Sequence, residues 1–371
     1  MKRFIISGGG TGGHIFPALS IANQLKNEIS DAEILFIGAH GKMEMTRVPE
    51  AGYNIEGLDV FGIRRDFSWS GIKSNLKLPF VLLKTMCKAK QIMRSFSPDV
   101  VIGVGGYASG PALRAAQSLN IPTVIQEQNS YPGKTNQWLS KKVAKICVAY
   151  DGLERFFPKE KMVKTGNPVR AEIINFKPKL EEAYLFFNLD KNKKTVLIIG
   201  GSQGARTINQ AVLSHIEDFK KSDCQLLWQT GELFYASNKE QLLGLESHTI
   251  KILPFIKRMD LAYSVADSIV SRAGALAIAE LAIVGLPTIL IPLPTAAEDH
   301  QTANAKQLSD AGAAILLPDI EATENLYETL LNLLNDTEKS EIIAKKMKQF
   351  AQPDAIHKIV KEIIALSQKI S

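Results

Sequence analysis

Short apolar runs recur along this chain, each closed by a turn of small residues and followed by a stretch of helical period. Residues 3–7 read as the first strand, 8–14 as a glycine turn and 15–29 as a helix, with Pro17 in the first turn where a missing N–H is tolerated. Residues 32–37 form the next strand, and a strand–helix–strand unit of this kind crosses over right-handed, so the pair is parallel. The device returns with strand 100–104, the turn Gly105-Gly-Tyr-Ala-Ser-Gly-Pro111, helix 112–119 and strand 122–126. It restarts with strand 195–199, the turn Gly200-Gly-Ser-Gln-Gly-Ala205 and a helix from about Thr207. Between these lie Gly166-Asn-Pro-Val-Arg170, a short helical stretch 170–174 and a polar, charged segment, where a domain boundary is expected. The pattern predicts an α/β protein of two doubly wound parallel-sheet domains, 1–165 and 166–350, with glycine turns facing a cleft. Past Pro353, Asp354 is placed to cap a last helix carrying Ile356, Ile359, Val360, Ile363 and Ile364 on one stripe.

One stretch carries chemistry as well as pattern. Residues 268–270 close a β-rich run, 271–274 form a small-residue turn, and from Ala275 the period is helical, with Leu276, Ala279 and Ile283 on one face. A helix start offers unpaired N–H groups and partial positive charge, which suits a phosphate, and Glu280 stands about a turn further in, where a carboxylate can accept from both hydroxyls of a ribose. The alternative is a small-residue helix packed on a sheet with Glu280 exposed.

The first glycine turn formally satisfies G-x-G-x-x-G through Gly8, Gly10 and Gly13. A dinucleotide site also wants an acidic residue at the end of the second strand. Here that strand runs into Gly38-Ala-His40, with no carboxylate, so a nicotinamide-dependent oxidoreductase is disfavoured. What remains is a cradle for a diphosphate, with Thr11 and His14 as added donors.

Composition narrows the class. The chain has 371 residues, 45% of them hydrophobic, enough for two domains with cores of their own. No signal-peptide pattern and no apolar run of the ~20 residues a membrane span needs is present. Cys87, Cys147 and Cys224 show neither pairing nor metal-ligand spacing, and a reducing cytoplasm is expected. Residues 1–165 hold 22 Lys+Arg against 13 Asp+Glu (+9), and the remainder 22 against 25 (−3), which sum to the net +6. The first half therefore expects an anionic partner. Residues 61–94 concentrate that charge: Arg64, Arg65, Lys73, Lys77, Lys84, Lys88, Lys90 and Arg94 against Asp66, interleaved with Phe61, Phe67, Trp69 and Phe80. This mixture suits docking on an anionic membrane surface, the alternative being core aromatics beside a solvated lysine face. No nucleic-acid motif accompanies the charge.

Together, Gly8-Gly-Gly-Thr-Gly-Gly-His-Ile-Phe-Pro-Ala18, Gly105-Gly-Tyr107, Gln126-Glu-Gln-Asn129, Gly166-Asn-Pro-Val-Arg170, Gly200 to Ala205, Ser271 to Pro287 and Asp299-His-Gln-Thr-Ala-Asn-Ala305 resemble the MurG family of glycosyltransferases over nearly the whole chain. The resemblance implies the GT-B fold, with the helix after residue 354 returning to the first domain. It also implies inverting transfer of N-acetylglucosamine from UDP-N-acetylglucosamine to the C4 hydroxyl of the lipid-linked muramoyl-pentapeptide, lipid I, in cell-wall synthesis. Other GT-B enzymes of UDP-sugars are the alternative: a lipid disaccharide synthase, a diacylglycerol glycosyltransferase or a UDP-N-acetylglucosamine 2-epimerase. The implied donor contacts are Thr11, Gly12, Gly13, Asn129 and Arg170, brought in by closure; Ser202 and Gln203 on the diphosphate; the main chain of Ile256 on uracil; Ala275, Leu276, Ala277, Ile278 and Ala279 at the helix start; Glu280 on the ribose; and Gln301 on the sugar. The acceptor diphosphate falls to Gly8, Gly9, Gly10, Gly105 and Gly106. The sequence departs from shorter members around 293–298, which bears on Gln301.

With no DxD pair to hold a divalent ion, no metal and no cofactor are expected, since UDP-N-acetylglucosamine is a co-substrate. His14 is the candidate general base, with a structural donor at a helix start as its alternative. Glu127 is the second candidate, with a salt-bridged interdomain carboxylate as its alternative. His300 is expected to orient its turn, and His40, His215, His248 and His357 to lie at the surface or at helix caps. A peripheral location on the cytoplasmic side of the inner membrane follows from the resemblance, with other cell-wall or division proteins as further partners.

Overall fold

A computed structural model describes residues 1–60, 69–200, 204–296 and 299–368, and gives the backbone course alone over 69–82. It divides into two compact units, Met1–Arg170 with Asp354–Ser371, and Ala171–Pro353.

The first unit alternates strand and helix: β1 (Arg3–Ser7), α1 (Gly12–Glu28), β2 (Glu33–Ala39), α2 (Glu44–Glu50), β3 (Asn54–Leu58), α3 (Trp69–Phe96), β4 (Val100–Gly103), α4 (Ser109–Ser118), β5 (Thr123–Glu127), α5 (Lys134–Leu139), β6 (Lys145–Val148) and β7 (Met162–Lys164). Its seven strands lie in the order β3-β2-β1-β4-β5-β6-β7, all parallel. The chain order reverses between β1 and β4, the switch point at which open α/β sheets bind ligands beyond the carboxyl ends of their strands. The turns after these two strands are the two glycine turns. Ile5, Val101, Ile125 and Ile146 lie in one core with Leu113 and Ala116 of α4 and Met93 of α3.

The second unit contains α6 (Ala171–Ile174), α7 (Leu180–Phe187), β8 (Lys194–Ile199), α8 (Arg206–Ser214), α9 (Ile216–Lys221), β9 (Cys224–Gln229), α10 (Glu232–Ser237), α11 (Lys239–Leu243), β10 (Ile250–Leu253), α12 (Met259–Val265), β11 (Ser268–Ser271), α13 (Ala275–Val284), β12 (Thr288–Leu290), α14 (His300–Asp310), β13 (Ile315–Leu316), α15 (Ala322–Asn335) and α16 (Thr337–Lys348). Its order, β10-β9-β8-β11-β12-β13, repeats that of the first sheet, again all parallel. The switch point now falls between β8 and β11, which end at Ile199 and Ser271.

The last helix, α17 (Ala355–Gln368), packs in the first unit against α1 and β4. Ile356, Ile359, Val360 and Ile363 of its stripe are buried, whereas Ile364 is half-buried. Lys145 pairs with Glu362 at 3.6 Å and Gln24 meets His357 at 3.1 Å along this seam. Among the described residues no helix is long and apolar enough to cross a membrane. Most of the basic, aromatic stretch 61–94, including Arg64, Arg65, Lys73 and Lys77, lies outside the described residues or where only the backbone is described.

Candidate active site

The two glycine turns of the first unit interlock main chain to main chain. A Cβ on Gly106 would stand 2.2 Å from the Gly9 carbonyl oxygen, and one on Gly105 would stand 2.7 Å from His14 Cδ2 and 2.8 Å from its Nε2. Both glycines have positive φ, +85° at Gly106 and +97° at Gly105. Only glycine meets both demands at once. The structure thus gathers Gly8, Gly9, Gly10, Gly105, Gly106 and His14 at one end of the sheet, with Thr11, Gly12 and Gly13 leading into α1.

Helix α1 starts at Gly12, earlier than the expected 15, because His14 and Ile15 both donate to the Thr11 carbonyl, at 3.1 and 3.2 Å. His14 therefore sits in the first turn and is half-buried. Its Nδ1 lies 3.1 Å from the Gly9 carbonyl, with Thr11 Oγ1 at 3.5 Å. A carbonyl oxygen only accepts, so Nδ1 carries the hydrogen and Nε2 is the basic nitrogen of the neutral ring.

Glu127, at the end of β5, is 1% exposed. Its carboxylate accepts from Asn129 N at 3.0 Å, Asn129 Nδ2 at 3.4 Å, Gly133 N at 3.3 Å and Asn136 Nδ2 at 2.8 Å. This corrects the salt-bridged reading: the donors described here are amides that fold the 127–136 turn around the carboxylate. Burial pushes the carboxyl above the usual carboxylate range, against those four hydrogen bonds. The neighbouring motif residues are also structural. Gln128 donates to the Val104 carbonyl at 2.8 Å, Gln126 donates to Asn167 Oδ1 at 3.1 Å, and Asn167 donates to the Gln128 carbonyl at 2.9 Å. They tie the second glycine turn to the 166–170 segment, which ends in the exposed Arg170.

Sequence reasoning missed Glu44, the first residue of α2 and 1% exposed. Its two oxygens accept from Ala39 N at 3.0 Å and Gly10 N at 2.8 Å. The Gly10 amide is thus taken, and an acceptor contact through that N–H is set aside. The only signal in the chain was a glutamate soon after a strand with no carboxylate at its carboxyl end.

In the second unit, α13 begins at Ala275 and ends on Gly285, whose N–H closes on the Leu281 carbonyl at 2.7 Å. Leu276, Ala279 and Ile283 do share a face, but it is the half-buried one. The fully buried positions are Ala275, Ile278, Leu281, Ala282 and Val284, because an almost wholly apolar helix gives no stripe to choose by. Glu280 is 9% exposed, against the solvent-facing alternative, and accepts from Tyr263 Oη at 3.3 Å. The turn before the helix is held by Arg272, also missed: it pairs with Asp319 and donates to the carbonyls of Ile291 at 3.1 Å and Pro292 at 3.2 Å. Ile256 N donates to Gln229 Oε1 at 2.8 Å, so its carbonyl is the main-chain group left to meet a base. Gln301 accepts from Leu293 N at 3.0 Å through its amide oxygen. The turn that His300 was expected to orient is braced by Thr302 Oγ1 on Asp299 at 2.7 Å. Ser202 and Gln203 lie outside the described residues, as does Glu298. Among the described residues no three His, Cys, Asp or Glu side chains gather as metal ligands.

The chain matches the glycosyltransferase family 28 N-terminal domain over residues 4–148 and the family's C-terminal domain over residues 195–359. It is 51% identical, over 99% of both chains, to the UDP-N-acetylglucosamine--N-acetylmuramyl-(pentapeptide) pyrophosphoryl-undecaprenol N-acetylglucosamine transferase of Flavobacterium psychrophilum. The chain belongs to glycosyltransferase family 28 and, within it, to the MurG family. The MurG of Acinetobacter baumannii superposes with a TM-score of 0.77 at 31% identity, covering 98% of this chain and 100% of that one. The two-domain fold of family 28 extends further, to the UDP-GlcNAc 2-epimerase of Neisseria meningitidis, with a TM-score of 0.67, 18% identity, and 98% and 100% coverage. At that identity the likeness is one of GT-B fold alone.

Proposed function

We propose that this family 28 chain transfers N-acetylglucosamine from UDP-N-acetylglucosamine to the C4 hydroxyl of undecaprenyl-pyrophosphoryl-MurNAc-pentapeptide. The observation that carries the reading is identity of one half, end to end, with a transferase named for that donor and acceptor. The unit 171–353 binds the donor: the start of α13 and the 200–205 turn take the diphosphate, Glu280 the ribose, the Ile256 carbonyl the uracil N3–H, and Gln301 the sugar through its NH₂ group. The unit 1–170 holds the acceptor diphosphate at its glycine turns and approaches an anionic membrane surface from the cytoplasmic side through 61–94.

The chemistry is a single displacement. The acceptor oxygen attacks the anomeric carbon, the bond to UDP breaks on the opposite face, and the configuration inverts. His14 Nε2 takes the hydroxyl proton, as its fixed tautomer allows. Charge grows on the departing diphosphate, where helix N–H groups and Arg170 stabilise it without a divalent ion. Glu127, committed to four donors, shapes its turn and is not the base.

The test is transfer of labelled N-acetylglucosamine to a short-chain lipid I analogue with EDTA present. Product with wild-type protein, and a His14→Ala kcat lower by roughly 10²–10⁴-fold at little-changed donor KM, is expected. Absence of product with EDTA, restored by Mg²⁺ or Mn²⁺, would refute metal independence; a wild-type kcat in H14A would remove His14 from the chemistry.

A further inference from the structure

We infer that Glu44 is a positioning residue for His14, acting through the Gly9–Gly10 peptide; this rests on the reading of His14 as the base. Glu44 opens α2, 34 residues past Gly10 and beyond both α1 and β2, yet its carboxylate lies directly behind the glycine loop. One oxygen holds Ala39 N at the end of β2 at 3.0 Å, and the other holds Gly10 N at 2.8 Å. A Cβ on Gly9 would stand 2.2 Å from Glu44 Cδ, so the loop main chain rests against the carboxyl group itself. The opposite side of the same peptide run is occupied by His14: the Gly9 carbonyl is 3.1 Å from Nδ1. Gly106 closes over that carbonyl, within 2.2 Å of where its own Cβ would stand.

The consequence is a three-part stack of carboxylate, peptide and imidazole. The carboxylate fixes the direction of the Gly10 N–H and, through the rigid peptide plane, that of the Gly9 carbonyl. The carbonyl fixes which imidazole nitrogen is protonated. A buried carboxylate beside a loop meant for an anionic diphosphate is electrostatically unhelpful to that anion. Its presence there makes sense when its two amide bonds aim the loop. It also explains why this glycine turn lacks the ribose carboxylate of a dinucleotide site: the acid nearest the end of β2 points inward and is consumed by the main chain.

The experiment labels the full-length protein with ¹⁵N-histidine and assigns His14 by its loss in His14→Gln. Near pH 8.5, where a neutral imidazole dominates, the wild-type His14 must show the Nδ1–H tautomer; an Nε2–H tautomer overturns the proposal with no variant needed. In Glu44→Gln one amide oxygen can accept, but the NH₂ group opposes the second N–H. The His14 signal should then move toward the other tautomer, and kcat should fall on the order of tenfold to a hundredfold while donor KM stays within about twofold. Glu44→Asp, whose shorter carboxylate reaches one amide, should fall between, and it serves if the glutamine variant does not fold. Unchanged tautomer and unchanged kcat in a folded Glu44 variant overturn the proposal. A shifted tautomer with wild-type kcat upholds the positioning and instead sinks the assignment of His14 as base.

Discussion

Gly105 shows how much of this site is decided by single atoms. With φ at +97° and His14 Nε2 lying 2.8 Å from the place a Cβ would occupy, Gly105→Ala must both strain the backbone and displace the imidazole. A displacement near 1 Å costs on the order of a hundredfold in rate, so kcat should drop by about that much with donor KM near wild type. Steady-state kinetics with the donor varied decide this, and equal effects on both constants would mean general disruption instead. Glu280 is expected to behave in the opposite way. On the proposed role, removing this buried carboxylate from the ribose hydroxyls loses about 1–3 kcal/mol of binding, or roughly tenfold to a hundredfold in donor KM; an unchanged KM in Glu280→Ala removes it from the ribose. The thiols give a check on burial that is independent of activity. Burial pushes Cys147 up to about 12 and raises Cys224, whereas Cys87 is exposed. A thiol reagent near pH 8 should therefore modify one cysteine in the native protein and all three after denaturation. Such residue-scale facts were only partly legible in the sequence. His14, in the first turn of a helix after a glycine turn, and Glu280, about a turn inside a helix after a small-residue turn, are candidates that local pattern can pick out. Glu44 is not, because its partner Gly10 lies 34 residues away and no local pattern records so distant a contact.

Among the elements, α13 separates what periodicity can tell from what it cannot. Its existence and its start at Ala275 follow from the small-residue turn before it, but its buried face does not. An almost wholly apolar helix, packed against α6 and α16, lacks the polar stripe that would orient it. Helix α1 erred in another way. Gly12 and Gly13 read as loop by composition, yet the Thr11 carbonyl already accepts the first helical bonds, so glycine propensity is overridden at a helix end. The carboxyl end of α13 is better specified. Gly285 has φ +68°, and its N–H completes the last turn. Its added Cβ would stand 2.3 Å from Lys348 Cγ and Cε, so that side chain must move in addition to the strain at the left-handed position. Gly285→Ala should cost about 1–2 kcal/mol. A shift of the denaturant midpoint at constant m measures it, and a neutral result would mean that the helix end relaxes to another cap.

On the scale of the whole chain, the same strand order is used twice, and in the first sheet the two glycine turns follow the strands between which that order reverses. That much was legible because strand, turn and helix succeed one another so regularly. The charge imbalance, +9 in residues 1–165 and −3 in the rest, is likewise plain in the sequence. The two compact units give this division a thermodynamic consequence. A ligand held by residues 171–353 alone stabilises that unit by mass action, adding ~2.7 kcal/mol when present at about a hundred times its Kd. For a unit of this size each kcal/mol raises Tm by roughly 2–4 °C. UDP should therefore move the transition of the second unit upward by several degrees, with or without EDTA, and leave the transition of the first in place wherever the two are resolved by calorimetry. NAD should move neither, because the carboxylate a dinucleotide would need at the end of β2 is turned inward on Gly10. Stabilisation by NAD without stabilisation by UDP would contradict both the assignment of Glu280 and the structural account of Glu44, since each depends on which carboxylate faces a ribose.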